Sequence, residues 1–314
     1  MNILNPLENP LFIPVVYRTI FVFAFGFVLV LLLNKFRLKG IFKTNVGKRY
    51  LSWLIIGPIY LTTIFFGGDI SLIILAIILI FAIWEVAKIT KLPSAYVNAL
   101  YLLSAFSVII ASQFTRNFYA LPLVYYLVFS FIVIRSNDAK KGLFHISLAM
   151  FVSIWVIFSL SHFVLLGELN AQLDNTQALL LLIGFMVPLS DVFAYVIGKF
   201  FHRINFLDKY KIASNLSPNK TYVGMLGNIM GAGIGLWIMY FAVEHYIPLH
   251  HWIILIVLIG IMGVFGDITE SMFKRYFKVK DSGHLIPGHG GILDRIDSTL
   301  RVIVVIYYYF LFFL

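Results

Sequence analysis

The amino-acid sequence predicts an all-α, polytopic integral membrane protein with about ten transmembrane helices. Three observations carry that expectation. First, 61% of the 314 residues are hydrophobic and only 12% are charged, about half the ~25% charged content of a soluble domain. Second, apolar runs of 16 to 24 residues recur along the chain. Such runs are long enough for helices to cross a hydrocarbon layer and too continuous for barrel strands, which alternate at every second residue. Third, the basic residues are divided unevenly between alternate loops. With a mean hydropathy of +0.94, a water-facing globule is excluded.

The first span, 12–34, lacks the basic leader and small-residue cleavage site of a signal peptide and reads as a retained helix. Spans 51–67 and 70–87 follow, and the polar stretch 88–94 separates them from 95–113. The remaining spans are 118–134, 143–166, 177–199, 222–243, 251–270 and 299–314. Residues 1–176 form an N-terminal region of plain hydrophobic helix. Within 177–314 polar residues enter the spans, and two long polar loops appear at 200–221 and 271–298. Of the 24 Lys and Arg, only Arg18 and Arg116 fall outside one set of alternate loops. That set is therefore cytoplasmic, with both termini on the opposite side. The net charge of +10 is accordingly a topology signal before it is a hint of anionic partners, and no nucleic-acid partner is expected. Cysteine is absent, which excludes disulfides and thiolate metal sites.

Ionisable groups within spans cost about 2.5–3.5 kcal/mol each on insertion scales, so each needs a reason. Glu85, three residues before Lys88, reads as an interfacial acid paired along its helix. His145 and His162 read as packing residues. In the seventh span, Asp191, Tyr195 and Gly198 share one face at i, i+4 and i+7, with Asp191 about two turns deep. The loop that follows carries Lys209, Lys211, Ser217, Pro218, Lys220 and Thr221 just before a helix, whose free N–H groups suit a phosphate. The strongest segment is 266–297. Asp267, Glu270 and Ser271 share a helix face, Lys274 and Arg275 follow, then Lys280 and Asp281. Pro287, Gly288, His289, Gly290 and Gly291 form a turn that leads into Asp294, Arg295 and Asp297. Carboxylates beside clustered Lys and Arg suit an oxygen-loving divalent ion with a polyphosphate. The glycines would let backbone N–H groups approach an anion closely.

These residues resemble the membrane phosphatidate cytidylyltransferases, or CDP-diacylglycerol synthases. The family's C-terminal pattern is met in identity and spacing by Ser271, Lys274, Arg275, Lys280, Asp281, Pro287 to Gly291, Asp294, Arg295 and Asp297. Asp191, Ala194, Tyr195, Gly198 and Lys199 resemble its upstream helix, and Ser217, Pro218, Lys220 and Thr221 its substrate loop. The resemblance implies transfer of CMP from CTP to phosphatidate on the cytoplasmic face of a bacterial plasma membrane. It implies Mg2+ on Asp267 and Asp294, admits K+ beside it, and allows a homodimer. Lys220, Lys274 and Arg275 would neutralise phosphates, while Ser217, Ser271 and His289 orient them; Asp191 joins the catalytic set. Thr221, Tyr195, Lys280, Asp281, Gly290, Gly291, Arg295 and Asp297 complete the substrate contacts. Two positions depart from the family: Asn219 replaces a Lys and Val223 an acid. Those departures keep two other readings open, transfer to another membrane lipid phosphate and a lipid-binding relative without activity; a transporter is a third, because it too would place Asp191 and Asp267 within helices. No repeat with broken helices supports the transporter.

Overall fold

The structure, a computed structural model, describes residues 4–34, 36, 38, 40–172, 177–203, 210–244, 247–286 and 290–313. Each apolar run becomes a helix, and among the described residues ten helices are long and apolar enough to cross a membrane. The first five are α1 (Phe12–Leu33), α2 (Asn45–Phe66), α3 (Gly68–Thr90), α4 (Ser94–Gln113) and α5 (Leu121–Ser136). The sixth, α6, runs through Ala139–Val152, a π turn at Ser153–Phe158, and Ser159–Gln172. Last come α7 (Ala178–Arg203), α8 (Tyr222–Met239), α9 (Leu249–Tyr276) and α10 (Leu293–Phe313). Helices satisfy their own backbone groups, the one requirement hydrocarbon imposes on any span. A short antiparallel hairpin, β1 (Lys211–Ala213) and β2 (Ser217–Thr221), joins α7 to α8.

Both expected polar loops shrink. α9 continues six residues past the end of its apolar run, to Tyr276, and α10 begins at Leu293, six residues before its own. The charged residues extend these helices because their charges are paired: Lys274 reaches back to Glu270 at i, i+4. Ser271, Lys274, Arg275, Asp294, Arg295 and Asp297 therefore stand on helices, and between α9 and α10 the described residues outside a helix are 277–286 and 290–292. Fixed helical positions hold a site more rigidly than a loop.

Helix packing brings the site's elements together. Along α8, Gly227, Gly231 and Gly235 face α7 at four-residue spacing. A Cβ would lie 2.8 Å from the Phe193 carbonyl oxygen at Gly227 and 2.6 Å from Met186 Cα at Gly235, and at Gly231 it would collide with Leu189. This small-residue stripe lets the two backbones touch, as transmembrane helices without a hydrophobic driving force require. On α9, a Cβ at Gly266 would strike the backbone of Asp297 and Ser298, so glycine there admits α10 beside Asp267. The core lies among α2 to α10, where Trp252, Tyr125, Phe65, Phe118 and Phe129 are fully buried. By contrast α1 is peripheral, its apolar side chains facing outward as lipid contacts. Arg18 secures α1 by donating to the Ile238 carbonyl at 2.9 Å and lying over the Phe241 ring. His162 packs edge-on against Phe118 and Phe158, as a packing residue should.

Candidate active site

The C-terminal ends of α3 and α9 and the N-terminal ends of α8 and α10 meet at one cluster of charge. Lys274 sits between two carboxylates, 2.7 Å from Glu270 Oε2 and 2.5 Å from Asp294 Oδ1. Lys220, at the end of β2, pairs with Asp267 Oδ2. Ser298 donates to Asp267 Oδ1 at 2.8 Å and lies 3.4 Å from both oxygens of Asp191, linking α7, α9 and α10 through one hydroxyl. Burial pulls the Lys220 ammonium below the ordinary lysine value, against Asp191, Asp297 and Glu270, which push it up.

This cluster lines a cavity of about 590 Å3. Lys220, Asp267, Glu270, Ser271 and Lys274 form one side, and Asp294, Arg295 and Asp297 another. Lys280, Asp281, His284 and Gly290 rim it from the 277–292 segment. Two of its polar atoms are buried without a hydrogen-bond partner among the described residues, Glu270 Oε1 and Arg295 Nε. Native interiors seldom leave such groups unpaired, so both are open to a polar ligand or to water in the cavity. The volume falls within the range of sites for metabolite-sized ligands.

Several residues singled out in the sequence lie elsewhere. Tyr195 is exposed on α7 and accepts from Lys199 at 3.3 Å. Arg275 is exposed on α9, away from the cavity that Lys274 enters. Ser217 is half-buried at the start of β2 and does not line the cavity. Thr221 caps α8, its hydroxyl accepting from Gly224 N at 3.0 Å. Pro287, Gly288 and His289 lie outside the described residues. Asn219 is exposed, where a Lys would act weakly through solvent, whereas Val223 is buried.

One expectation takes a particular form and another is corrected. Backbone N–H groups do converge on anions beside the glycines, but the anions are the protein's own. Gly291 N donates to Asp294 Oδ2 at 2.8 Å. Ile292 N and Leu293 N donate to Glu85 at 2.8 and 2.9 Å. A Cβ on Gly290 would meet Asp294, and one on Gly291 would meet Ser282 and Glu85. The glycines therefore make room for carboxylates. Glu85 itself is fully buried and does not pair along its helix; Lys88 lies instead over the Trp84 ring. Sequence reasoning also missed Arg49 on α2 and His284, both of which line the cavity. Arg49 had been counted only as a topology charge, and nothing local distinguishes it from its neighbour Lys48.

The fold and site together define a class: an apolar bundle of membrane-span helices whose cationic and carboxylate side chains close around a polar cavity. Comparison with known proteins makes the class specific: residues 47–313 match the model of the cytidylyltransferase family. Among curated relatives, the phosphatidate cytidylyltransferase of Staphylococcus haemolyticus is 30% identical over 260 residues, covering 81% of this chain and 95% of that protein. The Staphylococcus aureus (strain COL) protein of the same name is 30% identical, with the same coverage. That of Staphylococcus saprophyticus is 33% identical over 178 residues, covering 56% of this chain and 65% of that protein. The chain belongs to the cytidylyltransferase family.

Proposed function

We propose that this protein transfers CMP from CTP to phosphatidate, forming CDP-diacylglycerol and pyrophosphate for phospholipid biosynthesis. The observation that carries the proposal is the cavity, in which Lys220, Lys274 and Arg295 are interleaved with five carboxylates at the end of an apolar bundle. Relatives named for this reaction support it, and family membership favours enzyme over transporter or scaffold.

In the reaction, a phosphatidate oxygen attacks the α-phosphorus of CTP while the bond to the β-phosphate breaks in line and pyrophosphate leaves. The protein's share is positioning and charge neutralisation. Lys220 and Lys274 stand where they can leave their carboxylates for phosphate oxygens, and the unpaired Arg295 Nε is ready to donate. Ser271 and Lys280 flank them, and His289 is proposed to act beside them. We assign Mg2+ to Asp267 and Asp294. The donor set fits: hard oxygens alone, and an oxygen on each acid that already attracts an ammonium. Among the described residues no three His, Asp or Glu converge on one point, so phosphate oxygens and water must complete the ion's shell. When bound, the ion supplies charge neutralisation for the nucleotide phosphates. A K+ ion and a homodimer rest on the family resemblance alone.

We also place the site on the cytoplasmic side of a bacterial plasma membrane, because it lies at the helix ends flanked by the Lys- and Arg-rich loops. Single cysteines replacing the exposed His284 and Asn117 of this Cys-free chain should react with an impermeant thiol reagent from opposite sides. Reaction of both from one side would overturn the orientation.

The lipid is tested by incubating purified protein with labelled CTP, Mg2+ and a panel of lipid phosphates. Phosphatidate should be the preferred acceptor. Preference for another lipid phosphate would assign Val223 and Asn219 to a different headgroup, and no labelled lipid at all would remove the reading.

A further inference from the structure

We propose that Glu85, on α3 in the N-terminal region, is a positioning residue for the reaction: it sets Asp294 in place through Ser282 and fixes the start of α10. The inference rests on the cytidylyltransferase reading of the cavity. Its observations are independent of any ligand. Glu85 is 0% exposed, although it lies near the end of a helix where water is close at hand. Its carboxylate accepts from two groups far along the chain, Ile292 N at 2.8 Å and Leu293 N at 2.9 Å, and shares the single Ser282 hydroxyl proton, at 2.9 Å, with a second carboxylate.

Each contact has a consequence for the site. The N–H groups of Ile292 and Leu293 are the unpaired donors that open α10, and a carboxylate there satisfies both and complements the helix dipole. Glu85 therefore caps from a distance the helix that carries Asp294, Arg295 and Asp297. The Ser282 hydroxyl lies 2.8 Å from Asp294 Oδ2 as well, so one side chain bridges the two carboxylates. Ser282 N donates to the same Asp294 oxygen at 2.8 Å. Room for the arrangement comes from missing side chains: a Cβ on Gly283 would lie 2.6 Å from Glu85 Oε1, and one on Gly291 would collide with both Glu85 oxygens. Glu85 does not line the cavity. It acts through Asp294, whose remaining oxygen faces Lys274.

The test uses the full chain purified in detergent: wild type, Glu85→Gln, Ser282→Ala, the double variant and Lys88→Ala. Gln keeps the size of Glu but turns one acceptor into a donor facing an N–H group. Glu85→Gln and Ser282→Ala should each lower kcat about tenfold or more with KM for CTP moving less than about threefold, since small displacements of a reacting group are costly. The double variant should be no slower than the slower single, because both cut one link. Lys88→Ala should be unchanged. In Glu85→Gln, amide exchange across 282–295 should accelerate while the other helices keep wild-type protection.

Wild-type kcat in Glu85→Gln, multiplied losses in the double variant, or a loss confined to the yield of folded protein would each overturn the proposal. If wild type itself makes no CDP-diacylglycerol, the reading of the function fails. The exchange comparison needs no substrate and still decides the link: unchanged exchange at 282–295 rejects it.

Discussion

Asp294→Asn is expected to lower turnover by about 100-fold to 1,000-fold, the scale seen when one preorganised electrostatic group is removed from a site, while the protein still folds in detergent. The carboxylate is 6% exposed and every bond it makes needs an acceptor. Oδ2 accepts from Ser282 N and Gly291 N, each at 2.8 Å, and shares the single Ser282 hydroxyl proton with Glu85, while Oδ1 takes the Lys274 ammonium at 2.5 Å. An amide turns one of these oxygens into a donor. If the NH2 group takes the Oδ2 position it faces two backbone N–H groups; in the other orientation it faces an ammonium. Either way a buried donor loses its partner, at about 1–3 kcal/mol. Lys274 also loses a counter-charge, and the proposed Mg2+ loses a ligand. Because the change is isosteric, folding should survive on the rest of the bundle. Near-wild-type turnover at sub-millimolar Mg2+ would remove Asp294 from the metal assignment.

Gly291→Ala should also be damaging, by a steric route. Its Cβ would meet Ser282 Oγ and both oxygens of Glu85. These atoms are buried and already hydrogen-bonded, so neither side chain can retreat without breaking the link to Asp294. Overpacking at a well-filled position costs about 1–3 kcal/mol even where neighbours are apolar and compliant. Here the displaced groups are charged and set the site, so we expect turnover to fall at least about tenfold. Gly198→Ala is the matched control: its Cβ would find only Gly224 Cα, at 3.9 Å, and activity should be retained. Equal activity in the two alanine variants would mean that the 277–292 segment adapts freely, contrary to the geometry described.

Much of this architecture was legible in the sequence. Transmembrane runs are read from composition, which depends on solvent alone, and all ten became helices. The acids and bases of α9 and α10 were legible because they are close in sequence and their spacing places them on common faces. The polar loops were drawn too long, since hydropathy stops where charge begins while a helix continues through charges that pair, as Lys274 does with Glu270. The role of Glu85 was not legible. Its partner Ser282 lies 197 residues away, and an acid three residues before a Lys looks the same whether it pairs locally or across the fold. The glycines were read correctly as places where backbone meets an anion, but local sequence does not say whose anion. The Gly227, Gly231, Gly235 stripe was within reach, since its four-residue spacing is the usual signature of close helix contact.

The decisive measurement follows the label of CTP marked either at the α-phosphorus or at the γ-phosphorus, with phosphatidate and Mg2+, using wild type and Asp294→Asn. Nucleotidyl transfer at this cavity requires α-label to enter the lipid fraction as CDP-diacylglycerol, γ-label to leave as pyrophosphate in equal amount, and both to be lost in Asp294→Asn. Appearance of γ-label in the lipid would instead mean phosphoryl transfer, and undiminished α-transfer by Asp294→Asn would place the chemistry outside the cavity.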